Sequence, residues 1–378
     1  MPVFEEIWNV VNEEYLYPDF NGLDWKAVHE EYRQRILAGL NDNAFYAAMD
    51  EMIQRLGDDH SRYFSPAEAK AKDAEFASDY NYVGIGVFTT VNRERHSLAI
   101  VLIFPGSPAE AAGIKMHDSI LAVDGQAVVN EDGTRNDLLR GPAGTSIELT
   151  IQTPAEQPRQ VRVRRQRIDS SLPVPYAVQT SPKGKRIGYI LIPTFNDSTV
   201  DDQVGQALSS MAAGGPLDGL ILDNRENGGG NSEILLNTLA YFVNGEVGSF
   251  VERANRTPLG VNPSDINGSQ RVPLVVLVGK NTASFGEIFA GILQDLGRAT
   301  IIGEQTDGNV EVLSIYDFKD GSRAWIATST FRPLNHPNQN WEKTGITPER
   351  IVSSRWDEVT LETDPAVLAA LQYFDQEG

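Results

Sequence analysis

The stretch Asn281-Thr282-Ala283-Ser284-Phe285-Gly286-Glu287-Ile288 joins an apolar run, 272–278, to an amphipathic segment, 288–296. The first run is typical of a buried strand and the second of a helix, so Ser284 is predicted to lie on a sharp strand-to-helix turn. Such a turn exposes the serine hydroxyl, and the backbone N–H groups that follow lie at a helix N-terminus, where an oxyanion can be bound. Because Glu287 follows three residues after Ser284, the same pattern also predicts a simple capping box.

The sequence on both sides of that turn alternates apolar runs with amphipathic segments. The apolar runs are typical of buried strands and cover 186–195, 217–225, 273–279 and 299–304. The segments between them have helical spacing and cover 199–212, 231–243 and 286–296. This alternation predicts a layered α/β domain.

The N-terminal region, up to about residue 77, has the apolar spacing of helices. Phe4, Ile7 and Val11 recur at intervals of three or four residues, which places them on one helix face. Ser65 followed by Pro66 is typical of a helix start with proline at its first position.

A β-rich region, about 78–168, contains short apolar runs between glycine and proline turns and resembles a PDZ domain. Val83-Gly84-Ile85-Gly86-Val87 resembles the loop with which PDZ domains bind the carboxylate at a peptide C-terminus, so the resemblance implies that this loop binds peptide. Residues 107–113 match the short helix and glycine turn, and 118–125 match the strand and turn after it. Residues 138–151 are interpreted as a helix end, a turn and the last strand.

Residues 281–309 resemble the C-terminal processing (tail-specific) peptidase family. They contain an Ala-Ser turn, an Ile-Phe-Ala-Gly helix, a Gly-Arg-Ala turn and a Gly-Glu-x-Thr-x-Gly segment. The order of N-terminal helices, PDZ-like region and α/β core also resembles this family, over nearly the whole chain. The resemblance implies a serine peptidase with Ser284 as its nucleophile.

Asn309 stands where the best-known branch of that family has a lysine general base, so a base must come from elsewhere. His60 lies in Gly-Asp-Asp-His-Ser-Arg-Tyr, a segment that the family folds against its active site, and the tricorn-like branch has a histidine base at this place. That branch also has a glutamate shortly before a Gly-Val-x-Pro-Asp-like turn, a place that Glu342 occupies before residues 345–349. The resemblance therefore implies a catalytic triad of Ser284, His60 and Glu342.

Other roles for these side chains stay open. A histidine in a loop that enters a core is often structural, which is the alternative for His60. Glu342 could instead pair with Lys343 or Arg350. Lys280 and Lys343 are rival bases, although the sequence favours solvated surface roles for both.

Gly228, Gly229 and Gly230 follow a predicted strand and allow close approach of the backbone to a ligand. No Gly-Lys-Ser/Thr follows, which argues against a phosphate-binding loop. The resemblance implies an oxyanion hole formed by the N–H of Gly228 or Gly229 together with that of Phe285. The side chains expected to fix this loop are Asp223, Arg225 and Asn227. No spacing typical of metal ligands is present, so we expect neither a metal nor a cofactor.

The composition limits the partners. With 32 basic and 52 acidic residues, the formal charge of −20 argues against nucleic acid binding. The absence of cysteine excludes a cysteine nucleophile. No run of about 20 apolar residues predicts a membrane span. No signal peptide is visible, and since the family is mostly exported, we expect an exported protein expressed without its leader, with a cytoplasmic location as the alternative.

These patterns predict an α+β multidomain protein. The expected parts are an N-terminal helical region (1–77), a PDZ-like β-rich domain (78–168) and a layered α/β peptidase core of the crotonase/ClpP-like type (169–378). The predicted function is cleavage of extended or unfolded polypeptides, with the PDZ-like domain recognising C-terminal ends or gating the site. A non-catalytic binding protein for peptides or hydrophobic ligands and a crotonase-type lyase or hydratase are the alternatives. The sequence does not determine the oligomeric state.

Overall fold

The computed structural model describes residues 1–58, 60–78, 81–169 and 171–376. The chain divides into two compact units, each with its own core. The first unit comprises Met1–Ser78, Gly248–Leu259 and Val310–Glu342. The second comprises Asp79–Val247, Gly260–Asn309 and Lys343–Gly378.

Helices and strands follow one another in mixed order along the chain. The helices are α1 (Pro2–Glu14), α2 (Trp25–Leu37), α3 (Asp42–Gln54), α4 (Pro66–Ser78), α5 (Pro108–Ala111), α6 (Val200–Ala212), α7 (Ser232–Leu239), α8 (Phe285–Asp295) and α9 (Pro365–Gln376). The strands are β1 (Arg62–Phe64), β2 (Asn81–Gly84), β3 (Val87–Asn92), β4 (Ser97–Ile103), β5 (Ser119–Val123), β6 (Gln126–Ala127), β7 (Ser146–Gln152), β8 (Arg159–Arg164), β9 (Gln166–Asp169), β10 (Tyr176–Thr180), β11 (Arg186–Leu191), β12 (Gly219–Asp223), β13 (Gly245–Glu252), β14 (Arg256–Val261), β15 (Leu274–Val278), β16 (Thr300–Gly303), β17 (Glu311–Asp317), β18 (Arg323–Pro333) and β19 (Arg350–Ile351). Across the described ranges, no helix is both long enough and apolar enough to cross a membrane.

The first unit packs its helices on a five-stranded sheet. The sheet has the order β1-β18-β13-β14, and β17 also pairs with β18. Phe4, Ile7 and Val11 are fully buried on one face of α1, as their spacing predicts. They share a core with Ile326 and Ala327 of β18, so hydrophobic burial holds the helical region on the sheet.

The core of the second unit is a six-stranded sheet with the order β10-β11-β12-β15-β16-β19. All its neighbouring strands are parallel except β10, which pairs antiparallel with β11. Strands β12 and β15 are neighbours, with Asp223 opposite Leu277. Their carboxyl ends therefore meet at one edge of the sheet, where α/β proteins commonly bind ligands.

A second sheet of the same unit contains β3-β4-β5-β7-β8, with β6 on β5, and β2 pairs separately with β9. One prediction is wrong here, because 138–140 does not end a helix. The preceding chain forms side-chain turns instead, in which the Asp132 carboxylate accepts from the Thr134 N–H at 2.9 Å. Asp side chains compete in this way with helical hydrogen bonding.

Candidate active site

Ser284 lies between the end of β15 and the start of α8, on the turn predicted from the sequence. Its φ of 52° and ψ of −127° are unusual for a residue with a side chain and mark a strained backbone. Within the described residues, its hydroxyl makes no hydrogen bond that caps α8. The capping-box alternative for Ser284 is therefore wrong, and the hydroxyl is available for chemistry.

Glu287 is fully buried and turns away from the start of its helix. Its carboxylate accepts hydrogen bonds from the N–H groups of Gly308 and Asn309, both at 2.8 Å, and from the Thr306 hydroxyl. Burial raises the pKa of Glu287, although these hydrogen bonds oppose the shift. The Asn309 carbonyl in turn accepts from the Ser284 N–H at 2.6 Å. Glu287 thus fixes the segment that holds the Ser284 backbone, a role the sequence did not reveal.

The glycine loop after β12 packs directly on this turn. Gly229 has a φ of 93°, and a Cβ placed on it would lie 2.7 Å from the Ser284 Cβ and 2.8 Å from the Phe285 nitrogen. Only glycine permits so close an approach. The Gly229 N–H donates to Asn227 Oδ1 at 2.9 Å. The Gly228 N–H has no hydrogen-bond partner among the described residues, so Gly228 is the better of the two predicted oxyanion donors.

Buried polar groups fix the glycine loop, as predicted. The Ala283 N–H donates to the Asn227 carbonyl at 3.1 Å. Arg225 forms a buried ion pair with Asp223 at 2.6 Å and with Asp364 at 2.7 Å. These contacts give Asp223, Arg225 and Asn227 positions beneath the loop, where they support its backbone.

A cavity of 530 Å³ opens beside the loop. It is lined by Gly228 and Ala283 from the sheet edge and by Ile85 and Val87 from the predicted peptide-binding loop. The backbone N–H group of Ile85 has no backbone hydrogen-bond partner within the described ranges. Both elements belong to the second unit, so one concave surface connects the PDZ-like sheet with the Ser284 turn.

His60 and Glu342 form a buried pair in the first unit, where they are 9% and 8% exposed. His60 Nε2 lies 2.9 Å from Glu342 Oε1, and Glu342 Oε2 accepts from the Val310 N–H at 3.0 Å. Burial lowers the pKa of His60, but the hydrogen bond and charge of Glu342 outweigh it, so the pKa is raised overall. With Glu342 accepting from Nε2–H, Nδ1 carries the lone pair and is the basic atom.

Glu311 lies beside the His60–Glu342 pair. No sequence motif indicated that Glu311 belongs to this site. It is 4% exposed, and its Oε1 accepts a short hydrogen bond from the Tyr17 hydroxyl. Burial raises the pKa of Glu311 to about 7. The only available signal was its place two residues after Asn309, at the start of β17. Of the rival bases, Lys280 and Lys343 are both exposed, as expected for surface side chains.

Comparison with known proteins places these features in one family. The model of peptidase family S41 matches residues 186–352, the tricorn protease C1 domain matches 2–54, and a PDZ domain matches 100–153. The carboxyl-terminal-processing protease of Synechocystis is 32% identical over 374 residues, which are 96% of this chain and 84% of that protein. The chain belongs to peptidase family S41.

Further relatives agree with this assignment. The carboxy-terminal processing protease CtpB of Bacillus subtilis is 28% identical, over 92% of this chain and 67% of that protein. A solved photosystem II D1 C-terminal processing protease superposes with a TM-score of 0.64 at 27% identity, covering 93% of this chain and 92% of that one. The S41 chain is a serine-type peptidase with a PDZ domain, and its α+β fold class is confirmed. The non-catalytic alternative has no support from these relatives.

Proposed function

We propose that this S41 peptidase cleaves extended polypeptides by acyl transfer through Ser284, with His60 as general base and Glu342 as its orienting partner. The observation that carries the proposal is the buried His60–Glu342 hydrogen bond of 2.9 Å in a chain that has Asn309 instead of a lysine base. An asparagine cannot accept a proton from serine, whereas a histidine held by a carboxylate can.

In the proposed mechanism, the Ser284 hydroxyl attacks the scissile carbonyl while His60 Nδ1 takes its proton. Glu342 stabilises the imidazolium that forms, and His60 then gives the proton to the leaving amine. The Gly228 and Phe285 N–H groups bind the oxyanion. A water molecule then attacks the acyl-enzyme, with His60 again acting as the base, and the second product is released. The strained turn at Ser284 supports this role, since it leaves the hydroxyl uncapped.

The loop Val83-Gly84-Ile85-Gly86-Val87 is proposed to bind the substrate C-terminus. A free carboxylate would accept from the Ile85 N–H group, and the peptide would extend through the cavity that also contains Gly228. Relatives named carboxyl-terminal-processing proteases are consistent with such a substrate. The domain boundaries 1–77, 78–168 and 169–378 and an exported location stay predictions.

The roles in the triad can be tested by hydrolysis of casein and of a peptide library. We expect activity to be lost in Ser284→Ala and to fall at least about 100-fold in His60→Ala. His29→Ala is a matched control, because His29 also pairs with a glutamate, Glu5, at 2.8 Å, but in a partly exposed position. Full activity in His60→Ala, or its loss in Lys280→Ala or Lys343→Ala instead, would overturn the assignment of the base.

The role of the PDZ loop can be tested with one substrate in two forms. A peptide with a free C-terminal carboxylate should be cleaved with a KM at least about tenfold lower than its C-terminal amide. Equal KM values would contradict carboxylate recognition by the loop.

A further inference from the structure

Three buried side chains of the first unit converge at one point. His60, Glu311 and Glu342 each offer one nitrogen or oxygen atom, and these atoms lie within 4.8 Å of one another. They come from three distant parts of the sequence, which explains why no ligand spacing was visible. One imidazole and two carboxylates form a donor set that binds divalent transition metals in many proteins.

One oxygen of these three side chains makes no hydrogen bond within the described ranges. Glu311 Oε2 is buried and has no hydrogen-bond partner among the residues that the structure describes. Its other oxygen accepts from Tyr17, so the carboxylate is held in place while Oε2 stays available. A buried carboxylate oxygen without a partner is costly, and a bound cation would remove that cost.

The charges around the cluster also favour a cation. Asp58 lies close enough to act electrostatically on both His60 and Glu311. Arg332 interacts electrostatically with Glu311, but its Nη1 donates hydrogen bonds to Asn340 at 2.9 Å and to the Phe331 carbonyl at 3.0 Å. The carboxylates of the cluster therefore exceed the positive charge beside them.

We propose that His60, Glu311 and Glu342 form a binding site for a divalent cation of the zinc class. Ligand atoms on a tetrahedral zinc lie about 3.4 Å apart, given bonds of about 2.0–2.2 Å. His60 Nε2 and Glu342 Oε1 are already 2.9 Å apart, so small side-chain rotations would bring the three ligand atoms to the spacing that zinc requires. Three protein ligands leave the fourth position to water.

Zinc at this site would inhibit the peptidase, a consequence that rests on the proposed function. The metal would bind His60 Nε2 and a Glu342 oxygen. The proton on Nε2 would pass through solvent to Nδ1, and the hydrogen bond to Glu342 would break. His60 would then lose both its orientation and its basicity, since metal coordination withdraws electron density from the ring. Inhibition would be reversed by a chelator.

Binding is measured directly, without use of activity. Protein freed of metal by EDTA is titrated with Zn²⁺ by calorimetry and with Co²⁺ by visible absorption. We expect one site per chain in the wild-type protein, and an affinity at least about tenfold weaker in Glu311→Gln and Glu342→Gln. His29→Ala should bind as the wild type does, because the histidine–glutamate pair that it removes does not belong to the cluster. Circular dichroism verifies the folding of each variant, and Glu342→Gln serves if Glu311→Gln does not fold.

Absence of binding by the wild type, or unchanged affinity in a folded Glu311→Gln or Glu342→Gln, would overturn the site. Inhibition is then measured with the same Zn²⁺ concentrations. Binding at this site without inhibition would leave the metal site standing and contradict the role of His60 as base. Failure of the two proposals is therefore distinguishable.

Discussion

Two helix starts in this protein share the motif of a serine followed three residues later by a glutamate, yet they have different structures. Ser65-Pro66-Ala67-Glu68 begins α4, and Ser284-Phe285-Gly286-Glu287 begins α8. In the first, the Ser65 N–H donates to Glu68 Oε2 at 2.8 Å and the Glu68 N–H donates to the Ser65 hydroxyl at 3.4 Å. In the second, neither capping bond forms within the described part of the chain.

A third helix start, at Ser107, shows that the capped serine is the ordinary arrangement in this protein. Ser107 has a φ of −76°, and its hydroxyl accepts from the Glu110 N–H at 3.2 Å. Ser284 differs from Ser107 in two ways. The Glu287 carboxylate accepts three hydrogen bonds from the 306–309 segment instead of capping the helix, and the φ of Ser284 is 52°. Tertiary contacts thus override a local capping signal at the serine that we propose as the nucleophile.

The largest difference between the two serines should be in activity. Ser284→Ala is expected to lower kcat more than about 10⁴-fold, because it removes the proposed nucleophile. Its stability should change by less than about 0.5 kcal/mol, since no cap is lost. Ser65→Ala should show the reverse, with wild-type kcat and a loss of about 1 kcal/mol. Peptide hydrolysis and urea denaturation measure both, and a large loss of stability in Ser284→Ala would contradict the comparison.

The two glutamates should differ most in stability. In Glu287→Gln, one amide oxygen cannot replace two carboxylate oxygens, so the Asn309 N–H faces an NH₂ group. We expect a loss of about 3 kcal/mol. Glu68 is exposed, and Glu68→Gln should cost only about 0.5 kcal/mol. Equal losses in urea denaturation would show that the buried hydrogen bonds of Glu287 stabilise the protein no more than the exposed cap at Glu68 does.

Replacement by glycine tests the backbone strain. Ser284→Gly should stabilise the protein by about 1 kcal/mol, because glycine adopts the strained conformation at little cost. Ser107→Gly should destabilise it by a few tenths of a kcal/mol, roughly as for other N-caps. The midpoints of thermal unfolding should move in opposite directions, and a fall for Ser284→Gly would argue against strain at this turn.

The smallest effect is in the pH dependence. The Ser65 hydroxyl and N–H lower the pKa of Glu68 from its ordinary value of 4.5, so its stabilising contribution is present above 4.5 and is lost as the pH falls through the lowered pKa. Burial raises the pKa of Glu287, so its ionisation costs stability as the pH rises from 4.5 through the raised pKa. The difference in Tm between the wild type and Glu68→Gln should therefore increase as the pH rises. The difference in Tm between the wild type and Glu287→Gln should decrease as the pH rises. Slopes of the same sign would contradict the assigned causes.

The sequence predicted the regular elements of the core well. The apolar runs 186–195, 217–225, 273–279 and 299–304 contain β11, β12, β15 and β16, because buried parallel strands are apolar throughout. The turn at Ser284 follows from that alternation alone. Local pattern could not decide between the nucleophile and the capping box, since Ser65 and Ser284 have the same motif.

Long-range polar contacts were beyond the sequence. The loss of the lysine at Asn309 was visible, but not that the Asn309 carbonyl accepts from the Ser284 N–H. Glu311 approaches His60 only through the fold, since 251 positions, 311 − 60, separate them. The false helix end at 138–140 has a local cause, namely the side-chain turns before it.

The close approach of Gly229 to Ser284 has a consequence for how the gene tolerates change. In a library screened only for abundance of the protein, position 284 should accept several small residues, whereas position 229 should accept almost none, because any Cβ there meets the backbone and side chain of the neighbouring turn. In a library screened for peptide cleavage, neither position should tolerate substitution. A substitution of Ser284, the proposed nucleophile, can thus leave a folded protein, whereas Gly229 is required for folding itself.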